Sequence, residues 1–230
     1  MNGVSRMAAL AAALICIAAT GCAKQQQTQV TVVQPHGVVA NPSDFPLYPR
    51  SAVMTVVPVD SAQLFAAMRK ADPTAEVPPK NYRGHEIIAQ TTASMAQLTA
   101  WLATLRTSPP LGMHLSSTHV DISHDNRSQS QGVDGEEFDS SAAPRSVYVF
   151  VADPKLIRAE MGFAFDLIDS YSKVPGMMRG PIDDQAKQQL GYSITELLDP
   201  RSPVGAVVTA VKQLQGTGRR AILLIDESAK

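Results

Sequence analysis

Residues 146–154 read SVYVFVADP, and this stretch decides the predicted fold. Its first part is apolar and rich in β-branched side chains over a length typical of a buried strand. Asp153 is a natural N-cap and Pro154 suits the first helical position, so a helix is expected directly after the strand. The pattern therefore predicts a buried strand followed directly by a helix.

Downstream of this stretch the sequence predicts several helices and then one more strand. The helix that begins at Pro154 should end at residues 174–176, which read VPG. Shorter helices are expected over 183–190 and 193–198. Ser202-Pro203 begins another helix, which Gly216 ends, and residues 221–225 form a short buried strand.

Upstream, three strands and two helices are expected before residue 146. The strands cover 52–59, 86–92 and 113–123. One helix follows Asp60 or Ser61 and ends near Ala71, and a second begins with a capping box formed by Ser94 and Gln97. The acidic residues 134–139 (DGEEFD) could supply oxygen ligands for calcium, but they lack the EF-hand pattern, so we predict a solvated loop.

The order of these elements predicts an α+β fold. From Glu86 onward it is β-α-β-β-α-β, which resembles the ferredoxin-like order. The expected architecture is an antiparallel sheet with helices on one face, preceded by an additional βα unit.

Composition excludes several classes of function. The chain has 230 residues, a formal net charge of -1 and two cysteines, Cys16 and Cys22. A nearly neutral chain is not expected to bind nucleic acid, which usually requires a basic excess. Because no thiol follows Cys22, the folded part has no disulfide, no cysteine-ligated metal and no catalytic thiol. The sequence predicts no cofactor.

The N-terminus has the pattern of a secretory signal. Arg6 precedes an apolar run from Met7 to Ala19, and 13 residues are too few to cross a bilayer, which needs roughly 20. The run ends in Ala19-Thr20-Gly21-Cys22, which resembles the bacterial lipobox, although leucine is usual where Ala19 stands. The resemblance implies that Cys22 is lipidated and becomes the first residue of the mature protein. The alternative is an ordinary cleaved signal peptide.

This interpretation divides the chain into three parts. Residues 1–21 form the signal peptide, 22–44 the lipidated cysteine with a flexible tether, and 45–230 a single α+β domain. The membrane is then a partner through the lipid anchor, and the domain is extracytoplasmic. Since Ala23 rather than aspartate follows the cysteine, the resemblance to enterobacterial lipoproteins favours the outer membrane.

Residues 44–53 (DFPLYPRSAV) resemble the opening of many uncharacterised bacterial envelope domains, of the form Pro-x-Tyr-Pro. The resemblance extends over about residues 45–120, and Arg50 stands where those domains usually have glycine. It implies an extracytoplasmic α+β module and no activity.

A histidine-rich segment is the clearest candidate for a metal site. Three of the five histidines, His114, His119 and His124, fall close together, with Asp121 between them. Imidazoles and a carboxylate could bind zinc or copper. However, a spacing of five places successive histidines on opposite faces of a strand. A half-exposed strand with a histidine-rich polar face is the alternative.

Met177, Met178 and Arg179 are a candidate partner contact, because two adjacent methionines in a tight loop cannot both face the core. The alternative is that one methionine fills the core. We therefore predict a lipid-anchored, non-enzymatic binding or assembly module with an envelope protein partner. The alternatives are a metal-binding lipoprotein that uses the histidine segment, and a hydrolase whose site has no recognisable motif.

Overall fold

The computed structural model describes residues 39–60, 62, 82–110, 112–118, 133–160, 162–176, 179–190 and 192–229. The strands in these ranges are β1 (Ala52–Asp60), β2 (Tyr82–Thr91), β3 (Met113–Thr118), β4 (Val133–Ser140), β5 (Arg145–Ala152) and β6 (Arg220–Ala229). The helices are α1 (Met95–Thr107), α2 (Pro154–Glu160), α3 (Gly162–Tyr171), α4 (Arg179–Leu190), α5 (Ile194–Leu198) and α6 (Pro203–Leu214).

The six strands form one open sheet in the order β1-β2-β6-β5-β4-β3. Every neighbouring pair is antiparallel. The predicted α+β class with an antiparallel sheet is therefore confirmed. β6, which follows all the other elements in the chain, lies between β2 and β5 near the middle of the sheet.

The more specific ferredoxin-like order is not confirmed. That order would place β2 between β5 and β6, whereas β2 here pairs with β1 and β6. In addition, β4 lies between β5 and β3. Helix and strand periodicity identify the elements, but they do not determine which strands become neighbours.

β4 occupies the acidic residues that we predicted as a solvated loop, so that prediction is wrong. Phe138 is fully buried opposite Val147 of β5. Glu136 and Glu137 are also buried, with 0% and 6% of their surface exposed. The strand forms because its backbone pairs with β3 on one side and β5 on the other, despite a composition that is unfavourable for strands.

Helices cover both faces of the sheet, so the prediction that they lie on one face does not hold. The first face packs against Leu98, Leu102 and Leu105 of α1. The second face packs against Ala206 and Ala210 of α6 through three sheet residues: Val57, Ile88 and Leu223. The reason is that β5 and β6 are apolar at consecutive positions, which requires burial on both faces.

The helices α3 to α6 share a second apolar core, formed by Phe165, Ile168, Ala186, Ile194, Leu197, Val208 and Val211. The single helix predicted from Pro154 is described as α2 and α3, on either side of Met161, which lies outside the described residues. None of the helices in the described part of the chain is long and apolar enough to span a bilayer.

The N-terminal segment 41–51, here called the strap, crosses the first face of the sheet. Phe45 is buried with its ring 5.2 Å from that of Phe138, and Tyr48 meets Trp101 edge-on at 5.8 Å. The folded part therefore includes Phe45, where the predicted domain begins.

A charged cluster fastens the strap near its start. The Arg145 guanidinium binds both carboxylate oxygens of Asp226, with Nε–Oδ1 2.8 Å and Nη2–Oδ2 2.6 Å. Arg145 also binds the Asp44 carboxylate, and the Ser43 hydroxyl donates to Asp226. The strap consequently enters at the end of the sheet where β6 ends.

Candidate functional site

His114 is the part of the predicted metal site that the structure describes; His119, Asp121 and His124 lie outside the described residues. His114 is exposed on β3, opposite Asp139 of β4, and its Nδ1 lies 3.3 Å from the Ser141 hydroxyl. Within the described ranges, no three histidine, cysteine or acidic side chains are grouped so that they could hold a metal ion. The histidine site remains a prediction.

Of the predicted partner contact, Arg179 is described, whereas Met177 and Met178 lie outside, as does the lipidation site Cys22. The Arg179 guanidinium lies over the Tyr171 ring, 5.1 Å from its centroid. Its Nε donates to the carbonyl of Val174 at 3.3 Å. These contacts hold Arg179 against the end of α3.

Beside Tyr171 lies a shallow depression, here called the Tyr171 surface, lined by Tyr171, Thr195, Leu198, Asp199, Pro200 and Arg201. Leu198 is 42% exposed, which is unusual for a leucine in a helix that otherwise buries Ile194 and Leu197. Arg201 binds the Asp199 carboxylate, and this hydrogen bond lowers the pKa of Asp199. An apolar centre with charged residues at its edge is the usual composition of a protein contact.

A second feature is a buried carboxyl group on the second face of the sheet. Glu86 of β2 is 2% exposed, and its Oε1 has no hydrogen-bond partner among the described residues. Its cross-strand neighbours are Val57 and Ile225. Burial raises the pKa of the Glu86 carboxyl to about 8, so the group is mainly protonated at pH 7.

Two more buried carboxyls lie on the same face around Tyr148. Burial, together with the charges of Glu137 and Asp226, raises the pKa of Glu227 to about 7. Burial also raises the pKa of Tyr148, and the charge of Glu137 raises it further. The side chains of Tyr148 and Glu137 share a hydrogen bond. Carboxyls with such shifts are common at functional sites, but they also occur in structural networks.

Sequence analysis did not identify Glu86 or Glu227 as buried, and it assigned Glu137 to a solvated loop. Each belongs to a strand, and Glu86 directly precedes the apolar residues Ile87, Ile88 and Ala89. Position within a strand is therefore the signal that could have identified them as inward-facing.

Two further short motifs, Ser-x-x-Lys at Ser170–Lys173 and the glycine-rich residues 216–220, have structural explanations. Ser170 and Lys173 lie where α3 ends, and the Lys173 N–H donates to the Ser170 carbonyl at 2.9 Å. The glycine-rich residues 216–220 connect α6 to β6, with Gly216 and Gly218 in the left-handed conformation. A phosphate loop would instead precede a helix.

Comparison of the chain with protein families, with curated proteins and with solved structures finds no match.

Proposed function

We propose that this chain is a lipid-anchored protein of the bacterial cell envelope whose α+β domain is a non-enzymatic binding or assembly module. The observation that carries the proposal is the apolar run that ends in Ala19-Thr20-Gly21-Cys22. A diacylated or triacylated cysteine would bind the bilayer firmly, because each buried methylene contributes about 0.8 kcal/mol. We place the domain on the extracytoplasmic side, at the outer membrane.

The position of the strap supports this arrangement. Phe45 is buried 23 residues after Cys22 in the sequence, and about 20 residues of flexible chain span roughly 25 Å. Such a tether lets the domain rotate and reach a partner beside the membrane.

The Tyr171 surface supports the binding half of the proposal. The exposed side chain of Leu198 lines this surface, and Arg179, which the sequence indicated as a partner contact, lies over the ring of Tyr171. Arginine and tyrosine are enriched at protein interfaces, where they contribute much of the binding energy. The partner we propose is another protein of the envelope.

The anchor is tested by membrane partitioning of Cys22→Ser. The wild-type protein is expected in the membrane fraction and in the detergent phase, and the variant in the aqueous phase, with loss of the acyl mass. Met7→Ala, in the same leader, is the control and should still be processed and partition with membranes. If Cys22→Ser stays in the membrane fraction, the anchor proposal is wrong.

The binding surface is tested by photo-crosslinking in intact cells. A crosslinking residue at Leu198 should capture one protein, and Arg179→Glu should reduce that product at least fivefold. The same probe at Thr99, an exposed position on α1, is the control. Equal products from both positions would contradict a contact at the Tyr171 surface.

A metal-binding lipoprotein is the second candidate. The observation in its favour is that His114 and Asp139 are directly opposite on β3 and β4, which adds a carboxylate to the predicted set of His114, His119, Asp121 and His124. Calorimetric titration of the full chain with zinc and copper tests it. Micromolar binding that His119→Ala abolishes would favour this candidate over the plain binding module.

A further inference from the structure

Cationic side chains collect at one end of the sheet, where β1 and β6 begin and β5 ends. Arg50 lies two residues before β1, Arg219 immediately precedes β6, and Lys155 lies three residues after β5, at the start of α2. All three are exposed, and none forms an ion pair with another residue that the structure describes. Arg220, beside them, is paired with Asp153 at 3.1 Å. We call Arg50, Lys155 and Arg219 the cationic end.

Arg50 occupies a backbone position that favours glycine. The Ser51 N–H donates to the Tyr48 carbonyl at 3.1 Å, which closes a turn with Pro49 and Arg50 at its centre. Arg50 has φ 65°, in the left-handed region. Proline followed by a residue with positive φ is the pattern of a type II turn, in which glycine is preferred at the second position. An arginine is therefore kept there at a cost in stability, which points to a role for its side chain.

Arg219 is held in place by a neighbouring strand. Its Nη1 donates to the Gln90 side-chain oxygen at 2.7 Å. Gln90 is the cross-strand partner of Ala52, two residues after Arg50. The turn before Arg219 is fixed by Gly216 and Gly218, both with positive φ, and by the Thr217 hydroxyl, which accepts from the Arg219 N–H at 3.2 Å. The guanidinium is thus positioned beside the start of β1 with its other N–H groups available.

The spacing of the three cations selects the kind of ligand. β1 and β5 are separated by β2 and β6, so at about 4.8 Å per strand the row from Arg50 to Lys155 extends over roughly 14 Å. A single phosphate cannot contact both ends of such a row. A polymer with an anionic group every few ångströms can.

The geometry points to a docking site for a linear polyanion at the cationic end, a polymer of the envelope that carries repeated phosphate or carboxylate groups. Its orientation rests on the proposed anchor. The strap enters at the opposite end, where Asp44 and Asp226 lie, so the tether joins the domain at the end of the sheet away from the cationic end.

Binding of fluorescent long-chain polyphosphate and of poly-L-glutamate to the detergent-solubilised full chain tests this inference. Removing one cation should weaken binding about three- to tenfold. It should also reduce the slope of log affinity against log salt concentration by about one in magnitude. Arg50→Gly and Arg219→Gln should both show this loss. Arg50→Lys keeps the charge and should bind within about twofold of the wild type.

Arg50→Gly is informative because it should unfold at a higher temperature than the wild type while binding less well. Misfolding therefore cannot explain its loss of affinity. Arg83→Gln, which removes a cation at the opposite end where Arg83 is paired with Asp60 at 2.8 Å, is the matched control and should bind like the wild type.

The two polymers distinguish the source of the anion: tighter binding of polyphosphate indicates a phosphate polymer, and tighter binding of polyglutamate a carboxylate polymer. Equal losses in Arg50→Gly and Arg83→Gln, or no binding of either polymer, would overturn the site. Binding of anionic vesicles alone would also overturn it and indicate a membrane surface. Cys22→Ser should bind both polymers normally, so failure of the anchor and failure of this site are separable.

Discussion

Arg106, in the last turn of α1, binds the Glu136 carboxylate of β4, with its Nε 3.0 Å from Oε1. The Glu136 side chain is fully buried, whereas that of Arg106 is 31% exposed. The contact lies on the first face of the sheet and pairs a buried carboxylate of the strand with a cation of the helix. Helix α1 therefore provides the counter-ion that allows β4 to lie inside the sheet.

Arg106→Met should destabilise the fold by about 3 kcal/mol, because it keeps much of the packing and leaves the Glu136 charge buried without its guanidinium. Urea unfolding at pH 7 measures the effect. Glu136→Gln combined with Arg106→Met is the control and should recover most of the loss. A loss below about 1 kcal/mol in the single variant would show that Glu136 does not depend on Arg106.

Glu86 should make stability fall as the pH rises. Its pKa is about 8 when folded and 4.5 in an ordinary environment, so the contribution of the proton is complete below pH 4.5 and is lost as the pH approaches 8. Between these values unfolding releases a proton. Glu86→Gln cannot release this proton, so its free energy of unfolding should change less with pH over this range.

Urea unfolding at several pH values between 4.5 and 9 measures how steeply the free energy of unfolding changes with pH in each protein. This slope does not depend on the cost of burying the glutamine amide. Glu196→Gln, in the α5 capping box, is the control and should keep the slope of the wild type over that range. Parallel profiles for the wild type and Glu86→Gln would mean that Glu86 is ionised in the folded protein.

Gly205→Ala should destabilise the fold by about 1–3 kcal/mol, although alanine is normally the better helix former. A Cβ at this position of α6 would lie 2.0 Å from the carbonyl oxygen of Asp199, which is backbone and cannot rotate away. Thermal unfolding measures the effect. Gly180→Ala, in α4, is the matched control: no atom lies within 4 Å of its Cβ, so it should be neutral or stabilising by up to about 1 kcal/mol.

Arg145→Gln should cost about 2–3 kcal/mol, since it leaves the largely buried Asp226 carboxylate without its bidentate partner. Asp44→Asn removes the other ion pair of Arg145, but Asp44 is 81% exposed, so the expected cost is below about 1 kcal/mol. Urea unfolding of both variants compares the two pairs. Equal losses of unfolding free energy in Arg145→Gln and Asp44→Asn would show that the strap, rather than Asp226, depends on Arg145.

The helix starts were predictable because each signal involves residues only a few positions apart. Ser94 and Gln97 form the expected capping box, Ser193 and Glu196 form another at the start of the helix expected over 193–198, and Ser202 caps α6. These contacts depend on local backbone geometry and not on the rest of the fold.

The sheet order and β4 were not predictable in this way. The buried Glu136 carboxylate is paired in its strand with Arg106, which lies 30 residues away in sequence. No local pattern contains that information. Of the candidate site, Arg179 was predicted as a partner contact from the loop it shares with Met177 and Met178. The exposure of Leu198 depends on how α5 packs, so the apolar character of leucine could not predict it.

The position of β6 has a consequence for synthesis. β1 pairs with β2, β3 with β4, and β4 with β5, and within the sheet β6 (Arg220–Ala229) joins these two groups of strands. Until the ribosome has added those residues, and until they have crossed the membrane if the protein is exported, β2 and β5 both have open edges that invite pairing with other chains. The nascent protein therefore exposes these two edges for as long as its central strand is missing.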